Sequence, residues 1–125
     1  MDARKQVDYW HSGAKEDLAA RSLDEKGHRR HALFFAHLAI EKALKAHLAQ
    51  ATGGVPPRTH DLLRLASMAG LCLSDDRRQF LAAMQQYCLE GRYPDVQPDA
   101  PLPEDVRSRL RLTEEVFSWL ASLLK

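Results

Sequence analysis

Paired cysteines, glycine-rich loops and uninterrupted apolar runs are all missing, and each absence removes a class of function. The only cysteines, Cys72 and Cys88, lack the spacing of metal ligands, and no other grouping of ligand residues has a recognisable metal pattern. Both lie in or beside apolar helical stretches, so they are expected to be buried, free thiols suited to a reducing cytosol. The glycines form no phosphate-cradling loop and no serine stands in a nucleophile elbow, so neither cofactor nor metal is expected. The longest apolar run, Ala32 to Ala49, is broken by His37, Glu41, Lys42, Lys45 and His47, which excludes a membrane span. The segment from Met1 to Trp10 is charged from Asp2 onward and reads as no secretion signal, so a cytoplasmic location is expected. Charge of a single sign is lacking too. Eighteen basic and seventeen acidic side chains leave a net charge of +1, so any anion must be held by a local patch.

What the chain does have is helical periodicity. With 125 residues and 45% apolar content, it suits one domain spanning residues 1–125. Five segments repeat apolar residues at helical spacing, and none alternates at period two. The first runs from about Ala3 to Glu25 with Val7, Trp10, Ala14 and Leu18 on one stripe, and Gly27 stops it. The second, from about Arg29 to Gly53-Gly54, is apolar on most sides and belongs at a bundle centre or a subunit interface. After a loop holding Gly-Gly and Pro-Pro, Thr59 is read as the N-cap of a short third helix through about Ala69. Ser74 caps a fourth that ends near Gly91. Four prolines in the stretch from Arg92 to Pro103 argue against regular structure there, and Pro103 opens the last helix.

That last helix carries two apolar stripes. Val106, Leu110, Thr113, Phe117, Leu120 and Leu124 make one; Leu112, Val116, Trp119 and Leu123 make the other. Two stripes imply two packing partners, and a dimer contact and a purely intramolecular core both account for this. The expected architecture is an all-α, up-and-down bundle of four main helices plus a further helix, working as a homodimer.

Short loops favour antiparallel neighbours, which sorts helix ends into two poles. One pole gathers the basic turn from Lys26 to His31 with Asp75 to Arg78. The other gathers Lys45, His47, Arg58 and His60, with Arg92 and Tyr93 closing helix four. The second pole is the better candidate for a nucleotide or RNA segment. Lys45, Arg58, His60 and Arg92 supply positive charge, and Tyr93 offers a ring for base stacking. The alternative is structural, with His60 and Asp61 tying the loop. On helix two, His37, Glu41 and Lys45 share a face at four-residue spacing, as glue or as a groove lining.

The run Phe34-Phe35-Ala36-His37-Leu38-Ala39-Ile40-Glu41-Lys42-Ala43-Leu44-Lys45-Ala46 resembles the second-helix signature of HEPN domains. Tyr9-Trp10 with Asp17-Leu18, Thr59-His60-Asp61-Leu62, and Arg92-Tyr93-Pro94-Asp95 fit in order and spacing. The resemblance covers Val7 to about Asp95 and implies a homodimeric helical bundle. It looks closest to small prokaryotic HEPN proteins encoded beside minimal nucleotidyltransferases, often as toxin–antitoxin pairs. Members that are ribonucleases use an Arg followed, after four to six intervening residues, by a His. Arg92 matches that Arg, but Gln97, Pro98 and Asp99 stand where the His belongs. The expected role is therefore a nucleotide- or RNA-binding partner module without its own catalysis. The alternatives are a metal-independent ribonuclease toxin with a displaced Arg/His pair, and a purely structural dimer. Arg4–His11, Arg21–His28 and Arg30–His37 match the bare spacing; of these, Arg30 and His37 are the candidate catalytic pair.

Overall fold

The computed structural model describes residues 3–20, 28–88 and 102–124. Five α-helices account for most of them, and no strand occurs among the described residues: α1 (Ala3–Ala19), α2 (Arg29–Thr52), α3 (Leu62–Met68), α4 (Asp75–Met84) and α5 (Pro103–Leu123). Each boundary has a local cause. Ser74 Oγ accepts the Arg77 N–H at 3.2 Å to cap α4, as its sequence position predicts. At the end of α2, Gly53 turns left-handed with φ 73° and its N–H closes on the Ala49 carbonyl at 2.8 Å. Pro103 occupies the first turn of α5, followed by Glu104 and Asp105.

Three boundaries differ from the sequence reading. The cap of α3 is Asp61, whose Oδ1 accepts the Arg64 N–H, because Thr59 Oγ1 is already taken by the Asp61 N–H. The fourth helix stays α-helical only to Met84 and tightens to a 3₁₀ turn over Gln85–Tyr87. The first is helical to Ala19, and its expected continuation to Glu25 lies outside the described residues. Cys88 is buried as expected, but Cys72 is exposed, because it falls in the short α3–α4 connection rather than on a helix face.

α2 is the central helix. Fourteen of its residues are buried and they surround the axis, so it packs against α1, α3 and α5 at once. Leu33, Ile40, Leu44 and Leu48 meet Leu62 and Leu65 of α3 and Leu120 of α5 in one core. α1 runs antiparallel to α2, with Trp10 beside Lys45 and Asp17 paired to Lys42 at 2.7 Å. α4 runs antiparallel to α5, with Arg77 over Trp119 and Tyr87 beside Arg109. His47 Nε2–H donates to the Leu120 carbonyl at 2.7 Å and ties the last turns of α2 and α5.

His11 lies flat on Phe117, with ring centroids 5.9 Å apart, and its Nδ1 is buried with no hydrogen-bond partner among the described residues. Burial, followed by Lys15, holds its pKa below the ordinary 6.5, with Asp8 pulling weakly the other way and His47 adding to the lowering. The unfolded chain then takes up this proton before the folded one. Stability is full above pH 6.5 and falls as pH drops from there through the lowered folded-state value. Thermal midpoints measured between pH 7.5 and 5 are expected to decline in the wild type and to decline less in His11→Gln. Parallel declines in the two proteins would assign the effect elsewhere.

Candidate functional site

Glu41 sits near the middle of α2, almost fully buried, and three side chains converge on it. Lys45, one turn along the same face, donates from Nζ to Oε2 at 3.1 Å. His60 Nδ1–H donates to Oε1 at 2.8 Å from the loop before α3. His37, one turn back, places Nδ1 3.9 Å from the same oxygen and has no exposed surface. The four-residue spacing of His37, Glu41 and Lys45 thus yields the shared face that the sequence implies.

A carboxylate in this setting is tolerable only because its lone pairs are filled by donors. Lys45 is likewise 5% exposed, and its ammonium lies 5.1 Å from the Trp10 ring centroid, a cation–π contact. Trp10 is itself steadied through its Nε1–H to Gln6 Oε1 at 3.2 Å. His60 differs from its neighbours: 37% of its side chain is exposed. With Nδ1 donating to Glu41, its Nε2 is an acceptor in the neutral ring and a second donor once protonated.

Lys45 and His60, paired by sequence reasoning, do meet on one carboxylate. They meet in mid-bundle rather than at a pole. The loop from Gly53 to Asp61 doubles back along α2, returning about 18 Å at 1.5 Å per residue to reach Glu41. Asp75 to Arg78 are also displaced from the expected pole, because Arg77 lies against the last turns of α5. Arg58 is exposed on the returning loop, two residues before His60. Arg92 and Tyr93 lie outside the described residues. Arg30 is exposed on the first turn of α2, whereas His37 is enclosed in the core.

Gln85 is the residue that sequence reasoning missed. Its Nε2–H donates to the His60 carbonyl and its Oε1 accepts the Leu62 N–H, both at 2.9 Å. This side chain clamps the start of α3 to the end of α4 and holds the backbone of His60 in place. A glutamine among apolar helical residues carries no spacing signal that distinguishes it from the neighbouring Gln86.

The described residues therefore form a helical bundle whose central helix carries a buried carboxylate that orients one half-exposed histidine. They contain no cluster of His, Cys, Asp and Glu able to hold a metal ion, and no helix long and apolar enough to cross a membrane. The chain belongs to the HEPN domain family: the family model matches residues 7–123, nearly its whole length and beyond the motifs that first suggest it. No curated protein and no solved structure matches it.

Proposed function

We propose that this HEPN domain is a nucleotide- or RNA-binding module without catalysis of its own, acting as a homodimer beside a nucleotidyltransferase partner. The observation that carries the binding reading is the Glu41–His60 pair. A buried carboxylate at 2.8 Å fixes a half-exposed imidazole, with the exposed Arg58 two residues away on the same loop. Arg58, His60 and Arg92 then supply donors to phosphate and Tyr93 a stacking surface, while Lys45 acts through Glu41 by holding the carboxylate that orients His60. The absence of a histidine at 97–99 supports a binding rather than a cleaving role. The partner follows from the resemblance to HEPN proteins paired with minimal nucleotidyltransferases.

Fluorescence anisotropy with a labelled single-stranded RNA, and competition by ATP at fixed salt, test this reading. Arg58→Ala and Arg92→Ala are each expected to weaken affinity by about 1–3 kcal/mol, the worth of a charge-assisted phosphate contact. No binding by the wild type, or equal affinity in both variants, would reject the site.

One geometric feature favours a ribonuclease as the second reading. A carboxylate-oriented imidazole is the arrangement that general acid–base catalysis uses. On that reading the displaced histidine is His60 rather than the enclosed His37. RNA cleavage by the wild type that disappears in His60→Ala and survives in His37→Ala would establish it over the binding role.

A further inference from the structure

Tyr9 stands 64% exposed on α1, far more open than an aromatic ring used for packing. Its ring meets that of Trp10 nearly at right angles, with 83° between the planes and 5.0 Å between the centroids. The two rings form a corner on a pocket of about 230 Å³ between α1 and α2. Gly13 and Glu16 line this pocket at helical spacing from Tyr9, and Lys42 of α2 closes it. Gly13 keeps the floor low, because a Cβ there would lie 3.2 Å from Lys42 Cδ. Sites for whole drug-sized ligands begin at roughly 300 Å³, so the smaller space suits a single planar ring system.

The charges around the pocket favour an uncharged occupant. Lys42 is already paired with Asp17 at 2.7 Å. Glu16 is exposed and would repel a phosphate, whereas its carboxylate can accept from the amino group of a base. The donors proposed for phosphate lie beside the same stretch of α2. Lys45 holds its ammonium 5.1 Å from the Trp10 centroid and donates to Glu41, which in turn accepts from His60. Only two side chains thus separate the ring corner from the imidazole. A neutral aromatic end beside a cationic end matches the two ends of a nucleotide.

We infer that the Tyr9–Trp10 corner is the base subsite of the proposed site, where one nucleobase of a nucleotide or an RNA segment stacks on Tyr9. This subsite rests on the binding role proposed above, and it supplies a stacking ring distinct from Tyr93. Trp10 forms the wall, since its ring already faces Lys45 and its Nε1–H is donated to Gln6. Tyr9, with most of its surface open, supplies the platform.

Isothermal titration calorimetry with ATP and with hexaadenylate tests this, the two probes separating a free nucleotide from an RNA strand as the source of the base. Tyr9→Ala is expected to weaken whichever probe the wild type binds by at least about 5-fold, the lower end of what one stacked base contributes. Tyr9→Phe keeps the ring and is expected to match the wild type. Because Tyr9 is exposed, both variants are expected to fold, with unchanged circular dichroism. Wild-type affinity in Tyr9→Ala would overturn the base subsite, and a loss in Arg58→Ala or Tyr93→Ala in the same titrations would leave the binding role standing. An equal loss in Tyr9→Phe would also overturn it, by assigning the effect to the hydroxyl. No binding of either probe by the wild type would overturn both.

Discussion

Replacing Glu41 with alanine is expected to destabilise the fold by about 3–5 kcal/mol, the range for breaking a buried ion pair from one side. Removing the carboxylate leaves the Lys45 ammonium buried under Trp10, with no acceptor in place of Oε2. It also frees His60, and with it the loop that leads into α3, from its 2.8 Å anchor. Glu41→Gln keeps the shape and an acceptor oxygen, so it should cost less. Exchanging both members, Glu41→Leu with Lys45→Met, removes the charges together and should restore much of the loss, because two paired charges offer little net gain over apolar groups of similar size. Urea denaturation of Glu41→Leu, Lys45→Met and the double variant forms the needed cycle. If Glu41→Ala cost less than about 1 kcal/mol, a typical surface-pair value, Lys45 would be reaching solvent in the folded protein.

That pair shows which parts of the site are legible in sequence and which are not. His37, Glu41 and Lys45 share a face because helix geometry is periodic, and periodicity can be read from spacing. The approach of His60 to that face depends instead on the path of a loop. Gly53-Gly54 and Pro56-Pro57 signal that the chain leaves α2, but nothing in them says that it folds back to mid-helix rather than staying at the end. A sequence argument from alternating helix directions therefore puts Lys45 and His60 together for an incomplete reason, and misplaces Asp75 to Arg78. The cap of α3 is decided by competition for one hydroxyl, since Thr59 and Asp61 are both good capping residues and only the local turn selects between them. Gln85 is illegible for the same reason that it matters. Its role comes from two backbone groups distant in sequence, and no local pattern encodes them. The all-α architecture, the central position of α2 and the double-striped α5 rest on long periodic signals. These are the features that tertiary packing reinforces rather than decides.

Leu44→Ala provides the matching test of the core, with an expected loss of about 2–5 kcal/mol. Leu44 has no exposed surface and belongs to the cluster that joins α2 to α3 and α5. The alanines around it, Ala36, Ala43 and Ala46, are at most 2% exposed. Such small side chains allow the neighbouring helices to approach closely, and a closely packed site collapses poorly around a new void. The loss should therefore fall in the upper half of the range, as a lower denaturant midpoint with an unchanged slope. The comparison is Leu102→Ala. Leu102 is 61% exposed at the N-cap of α5, so the same chemical deletion should shift stability by no more than about 0.5 kcal/mol. A large ratio between the two costs follows only if α2 is enclosed on most sides. Similar costs would mean that the central helix is far more accessible in solution than its packing indicates.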